Sequence, residues 1–142
     1  MIIKKFKIKT SCNDTNTNWK ELHDEFLYKN LKEMKMNKSI IEKTLVACEE
    51  IFVNISNYAY KNEKGSILVK MVYENNKLKV IFVDKGIKFD PTKYDDTDIN
   101  KNFKEKKIGG LGIYIVKNVM DNVKYKYCSG NNILILTKKV II

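Results

Sequence analysis

The run SIIEKTLVACEEIFVNISNYA, from Ser39 to Ala59, decides how the rest of the chain is read. Ile41, Leu45, Cys48, Phe52, Ile55 and Ala59 recur at steps of four and three, which lays them along one stripe of a helix. Ser39 followed by Glu42 has the form of a capping box, so the helix is expected to start there. Glu50 and Asn54 stand four residues apart and share a face roughly opposite the stripe, joined by Asn57 and flanked by Val46 and Val53. That set has two readings. It is an ordinary solvated face, or it is a polar set among apolar neighbours that needs partners, since leaving such groups unsatisfied costs about 2–7 kcal/mol. A hydrated Mg²⁺ would supply them, because an asparagine oxygen is a hard ligand and magnesium takes few protein ligands beside substrate phosphates.

Toward the amino end, Asn18 with Glu21 resembles a second capping box, and Trp19, Leu22, Phe26, Leu31 and Met34 recur at helical spacing, giving an expected helix from Trp19 to Met34. Before it, Phe6 and Ile8 alternate with Lys5, Lys7 and Lys9 between Met1 and Thr10, the pattern of a half-buried edge strand. Toward the carboxyl end, Ser66 to Tyr73 and Lys77 to Val83 read as strands joined through Glu74, Asn75 and Asn76, since asparagine tolerates positive φ. From Lys85 to Gly110 the periodicity dissolves around the sole proline, Pro91, and a loop of that length suggests a lid over a site, with the lid proper at about 90–108. Ile113, Val116 and Met120 then make a short helix. Val123, Tyr125 and Tyr127 alternate with Lys124 and Lys126, and a final strand, Ile133 to Thr137, follows a turn at Gly130, Asn131 and Asn132. The order implies an α+β fold: a two-layer α/β sandwich with helices on one face of a mixed, mostly antiparallel sheet, built as a single domain over 1–142.

Composition narrows the classes. The chain has 142 residues, 27 basic and 17 acidic, a formal charge of +10 and 44% hydrophobic residues, which suits one domain with a core and not a disordered chain. No stretch of about 18 consecutive apolar residues and no signal-peptide pattern occurs, so the expectation is a cytoplasmic protein without a membrane partner. Cys12, Cys48 and Cys128 lack the spacing of a disulfide framework or zinc site. Every basic residue is lysine, spread through all segments beside much asparagine and isoleucine, and those three residues share A- and T-rich codons. The charge is therefore read as compositional bias, with no direct nucleic-acid contact expected, since arginine is preferred for bidentate phosphate or guanine recognition.

Two further clusters lie outside the long helix. Asp84 stands past the end of an apolar strand, followed by Gly86, Phe89, Asp90 and Pro91. A carboxylate there could accept a hydrogen bond from the amino group of a flat ligand such as adenine, with Gly86 removing an obstructing side chain, or it could simply end the strand in a turn. Gly109, Gly110 and Gly112 open the short helix, where backbone N–H groups and the helix terminus suit a phosphate, although a hinge with tight packing explains them equally. The phosphate-loop, dinucleotide and kinase catalytic-loop motifs are absent.

In order and spacing, Glu49-Glu50-Ile51-Phe52-Val53-Asn54, then Val83 to Pro91, then Gly109-Gly110-Leu111-Gly112-Ile113-Tyr114-Ile115-Val116 closely resemble the N, G1 and G2 boxes of the GHKL (histidine-kinase-like) ATPases. Within them the resemblance is best to the anti-sigma-factor serine/threonine kinases. It implies ATP and Mg²⁺ as cofactors, Glu50 as the catalytic residue that orients or deprotonates the attacking hydroxyl, and Asn54 as the metal ligand. It also implies that Asp84 reads adenine beside Gly86, and that Gly109, Gly110, Leu111 and Gly112 lie at the phosphates, with Lys106 and Lys107 where many relatives have a lid arginine. Tyr58 replaces a frequent histidine, and Asn132 falls near a threonine that in relatives helps bind adenine. The implied partners are a sigma factor, a small anti-anti-sigma protein as phosphoacceptor, and a second copy of the chain, the last also suggested by the unpaired edge of the first strand. The alternatives are a nucleotide-gated sigma-factor-binding module without kinase activity and a detached histidine-kinase ATP-binding domain. For the latter, the one histidine, His23, falls within the first helix and reads as a surface or packed residue.

Overall fold

Alternation of lysine with apolar residues makes Ile2–Thr10 a strand, β1, with Ile8 buried and Lys5, Lys7 and Lys9 exposed. The computed structural model describes residues 1–11, 13–60, 64–93 and 110–141. β1 is followed by one long helical stretch: α1 (Thr15–Leu22), a π turn (His23–Leu27) and α2 (Tyr28–Glu33). This helix starts four residues before the expected Trp19, because the Asn18 N–H already donates to the Asp14 carbonyl at 2.9 Å. Asn18 and Glu21 are thus interior positions and not a capping box.

The long helix α3 spans Lys38–Asn54 and runs on through a second π turn, Ile55–Ala59. Its cap is Asn37, whose side-chain oxygen accepts the Ile40 N–H at 2.9 Å, so Ser39 lies within the first turn. The predicted stripe faces the sheet, widened by Ile40, Ala47 and Ile51.

β2 (Gly65–Glu74) and β3 (Lys77–Asp84) form the expected hairpin. Asn75 and Asn76 both take left-handed φ, 54° and 58°, as a two-residue hairpin turn matched to strand twist requires. A 3₁₀ turn (Pro91–Lys93), α4 (Gly110–Val119), β4 (Asn122–Cys128) and β5 (Asn131–Lys139) complete the described elements. The β4–β5 turn is made by Ser129 and Gly130 at φ 52° and 80°, so Asn131 and Asn132 belong to the strand and not to the turn.

The sheet has five strands in the order β1-β2-β3-β5-β4, and every described pairing is antiparallel, where a mixed sheet was expected. β1 is an edge strand, as its pattern foretold. One face of the sheet carries the helices and encloses a core in which Leu22, Leu27, Phe52, Phe82, Ile113 and Leu136 are essentially inaccessible. This is the α+β two-layer architecture. No helix among the described residues is long and apolar enough to cross a membrane.

The opposite face is uncovered by any described element. Strand alternation turns Lys5, Lys7, Lys9, Lys70, Lys77, Lys79, Lys124, Lys126 and Lys139 toward it, with Glu74 as the only acid, around half-buried Leu68, Ile81, Val83, Ile133 and Ile135. Lysines that look evenly dispersed along the sequence are thus gathered by the pleat onto one side.

Candidate functional site

The end of α3, its π turn, the end of β3 with the segment after it, the middle of β4 and the start of β5 enclose a cavity of about 210 Å³. Ile51, Ile55, Ile87, Phe89, Pro91 and Leu134 supply apolar walls, and Asn54, Asp84 and Asn132 are its polar points. An apolar slot with a few convergent polar groups suits a flat organic ligand. The π turn matters because its extra residue widens the helix as it passes the cavity, where Ile55, Tyr58 and Ala59 line the wall.

Asp84 ends β3 and is 5% exposed. Its Oδ1 accepts from the Gly86 N–H at 2.9 Å and from Asn132 Nδ2 at 2.9 Å. Burial raises its pKa above the ordinary carboxylate value, opposed by those two hydrogen bonds, Asn132's first. Asn132 sits opposite Asp84 in the β3–β5 register. Its Nδ2 also donates to the Ile87 carbonyl at 2.9 Å, while its Oδ1 accepts the Phe89 N–H at 3.1 Å and the Tyr125 O–H.

A Cβ at Gly86 would collide with the carbonyl oxygen of Ala59 and stand 2.6 Å from its Cβ, so the missing side chain admits the end of the helical stretch. The Ile87 N–H completes that join by donating to the same carbonyl at 2.8 Å.

Glu50 and Asn54 meet the amino-terminal turn of α4. A Cβ on Gly112 would lie 2.8 Å from Glu50 Oε2 and 3.8 Å from Asn54 Nδ2, so only glycine lets this backbone rest against the pair without displacing the carboxylate. Burial, then the neighbouring Glu49, raises the pKa of Glu50 above the ordinary carboxylate value. Asn54 Nδ2 is buried and has no hydrogen-bond partner among the described residues. An orphaned amide beside a carboxylate and a helix amino terminus fits the phosphate and Mg²⁺ end of a nucleotide: the nitrogen would donate to a phosphate oxygen, or the amide turned over would present its oxygen to the cation.

Residues separated along the chain are thus brought together: Gly112 meets Glu50 and Asn54, Asn54 and Asp84 line the same slot, and Gly86 is bonded to Asp84. Gly110 and Leu111 lie in the first turn of α4. Lys106, Lys107 and Gly109 lie outside the described residues. Of the expected lid at 90–108, Asp90 to Lys93 forms wall: Asp90 Oδ1 accepts the Thr92 N–H at 2.9 Å, Pro91 is buried against the cavity, and Lys117 Nζ donates to the Thr92 carbonyl at 3.3 Å. The remainder, 94–108, lies outside the described residues. His23 pairs with Asp24 at 2.8 Å and stacks on Tyr28, consistent with a packed surface residue.

Sequence reasoning placed Asn132 in a turn and gave it no role, and it named Tyr125 only as a strand residue. The signal was present: Leu136 and Leu134 face the core, and the same two-residue period carried back one step brings Asn132 to that face.

A helix-backed antiparallel sheet, with an apolar slot at its strand ends and a glycine-opened helix against a carboxylate and an amide, defines a two-layer ATPase-type domain. Residues 22–138 match the family model described as a histidine kinase-like ATPase domain, and the chain belongs to that family. Among curated proteins it is similar to the serine-protein kinase RsbW of Bacillus cereus and of Bacillus thuringiensis, in each case 30% identical over 104 residues that span 70% of this chain and 64% of the relative. Among solved structures it resembles the RsbU and RsbW domains of a Mycobacterium tuberculosis protein, with a TM-score of 0.64 at 15% identity over 99% of this chain and 33% of that one, a likeness of fold.

Proposed function

We propose that this chain is an ATP-dependent serine/threonine protein kinase of the anti-sigma type, which binds a sigma factor and phosphorylates a small anti-anti-sigma protein. The observation that carries the reading is the approach of Gly112 to Glu50 and Asn54, with Asn54 lining the same slot as Asp84. Similarity to serine-protein kinases named RsbW supports the choice of acceptor and partners.

In this reading adenine enters the slot with its amino group on Asp84, the apolar walls exclude water from the base, and the phosphates lie along the glycine-opened start of α4. Asn54 would hold Mg²⁺, which would supply positive charge at the phosphates. Glu50 accepts the proton of the acceptor serine or threonine hydroxyl as its oxygen attacks the γ-phosphorus and the bond to the β-phosphate oxygen breaks. The raised pKa of Glu50 makes it a stronger base than an ordinary carboxylate. Little more is required, since phosphoryl transfer rests on positioning and electrostatic stabilisation. Lys106 and Lys107 would act as point charges on the γ-phosphate, without the bidentate fork of arginine. The protein is read as a cytoplasmic single domain that works as a homodimer.

The test is transfer of labelled γ-phosphate from Mg-ATP into proteins of the source organism's extract, comparing the native chain with Glu50→Ala. A labelled small protein that disappears with the variant, while the variant still binds ATP, is the expected outcome. Equal labelling by both sinks the kinase assignment and leaves a nucleotide-gated binder, the function that the exchange of histidine for Tyr58 in the cavity wall would favour.

A further inference from the structure

Asn132 is 7% exposed although it stands in the wall of the slot, and the protein occupies both ends of its side chain. A primary amide offers two donor hydrogens and two acceptor positions. Here the donors go to Asp84 Oδ1 and the Ile87 carbonyl, each at 2.9 Å, and the acceptor positions take the Phe89 N–H at 3.1 Å and the Tyr125 O–H. Nothing remains for a ligand. Asp84 is different, because the hydrogen bonds from Gly86 and Asn132 both fall on Oδ1, which leaves Oδ2 for the slot.

Resting on the reading of the slot as an adenine site, we propose that Asn132, locked by the Tyr125 hydroxyl, is a positioning residue for base selectivity: it fixes the rotamer of Asp84 and touches no part of the nucleotide itself. The reasoning is geometric. A carboxylate on a free χ2 torsion presents either oxygen to the slot in many orientations, whereas one held by two bonds on the same oxygen presents the other along a single direction. The amide is in turn held by Phe89 and Tyr125, so the loop after β3, the start of β5 and the middle of β4 all meet in one side chain. The recognition of a 6-amino purine is thereby built from three segments, though a single carboxylate oxygen makes the contact.

The experiment measures equilibrium binding of ATP and of purine riboside triphosphate, which lacks the 6-amino group, to the native chain, Tyr125→Phe and Asn132→Ala. The native chain should prefer ATP. Asn132→Ala should lower that preference about tenfold and Tyr125→Phe about threefold, through weaker ATP binding at unchanged affinity for the analogue, as loss of one charge-assisted or one neutral hydrogen bond implies. A second readout is the pH at which ATP binding fails on acidification. Since the Asn132 hydrogen bond lowers the pKa of Asp84, that midpoint should move to higher pH in Asn132→Ala. Parallel loss of both ligands with an unmoved midpoint would mean that Asn132 is only structural and overturns the proposal; Tyr125→Phe, which keeps the ring, guards against a folding defect. A native chain that binds neither nucleotide overturns the reading of the slot and the proposal with it, and is distinguished by the native measurement alone.

Discussion

Asp84 is held in a state that costs stability. In the unfolded chain its carboxyl has an ordinary value near 3.8, and burial raises it in the fold. The folded state therefore holds its proton more tightly than the unfolded one. Its contribution to stability is greatest in acid and declines as pH rises from the ordinary value through the raised one. Asp84→Asn keeps the shape and an acceptor for Gly86 but removes that titration. The variant should melt above the native chain at pH 7 and coincide with it near pH 3, while losing ATP binding; a variant that melts lower at pH 7 would show that the charged form is stabilised by its surroundings. At this scale the sequence was legible where a residue type stands out from an apolar run, as Asp84, Glu50 and Asn54 do. It was not legible where a role depends on a partner strand, since Asn132 gains its part only from the residue 48 positions earlier that lies across the ladder.

Between elements, the joins are made by small features whose removal has separable effects. Gly86→Ala sets a methyl group against the backbone of Ala59, at the end of the helical stretch, and should destabilise the fold by about 1–3 kcal/mol with a lower melting temperature. Gly112→Ala meets instead the flexible end of Glu50, so it should leave stability nearly unchanged and reduce phosphoryl transfer by displacing the carboxylate, seen as a fall in rate without a matching fall in melting temperature. Asn37→Ala removes the cap of α3 and should cost about 1 kcal/mol, measured by chemical denaturation, whereas Ser39→Ala should have a much smaller effect. Periodicity announced every one of the main helices and strands. It missed starts and caps, because several polar residues near a helix start satisfy the same pattern and only backbone geometry chooses among them. The π turns were also hidden, since one inserted residue disturbs a 3.6-residue repeat too little to be seen against side chains that still face the core.

The whole molecule has two unlike sides, one given to helices and the slot, the other a lysine-rich sheet face. Two copies meeting through that face would oppose like charges, so self-association should strengthen as salt is raised from about 0.05 to 0.5 M, by sedimentation equilibrium. Association that weakens with salt would place the contact on surfaces of opposite charge. The strand order has a consequence for how the chain comes into being. β3 lies between β2, its neighbour in sequence, and β5, which is made after the other described strands. During synthesis the first three strands and the long helices can pair and pack while the wall completed by Leu134 and Asn132 has yet to leave the ribosome. Such long-range pairing closes slowly and after local contacts. The slot is therefore complete only once β5 has paired, and a nascent chain halted before β5 has Asp84 with no pocket around it.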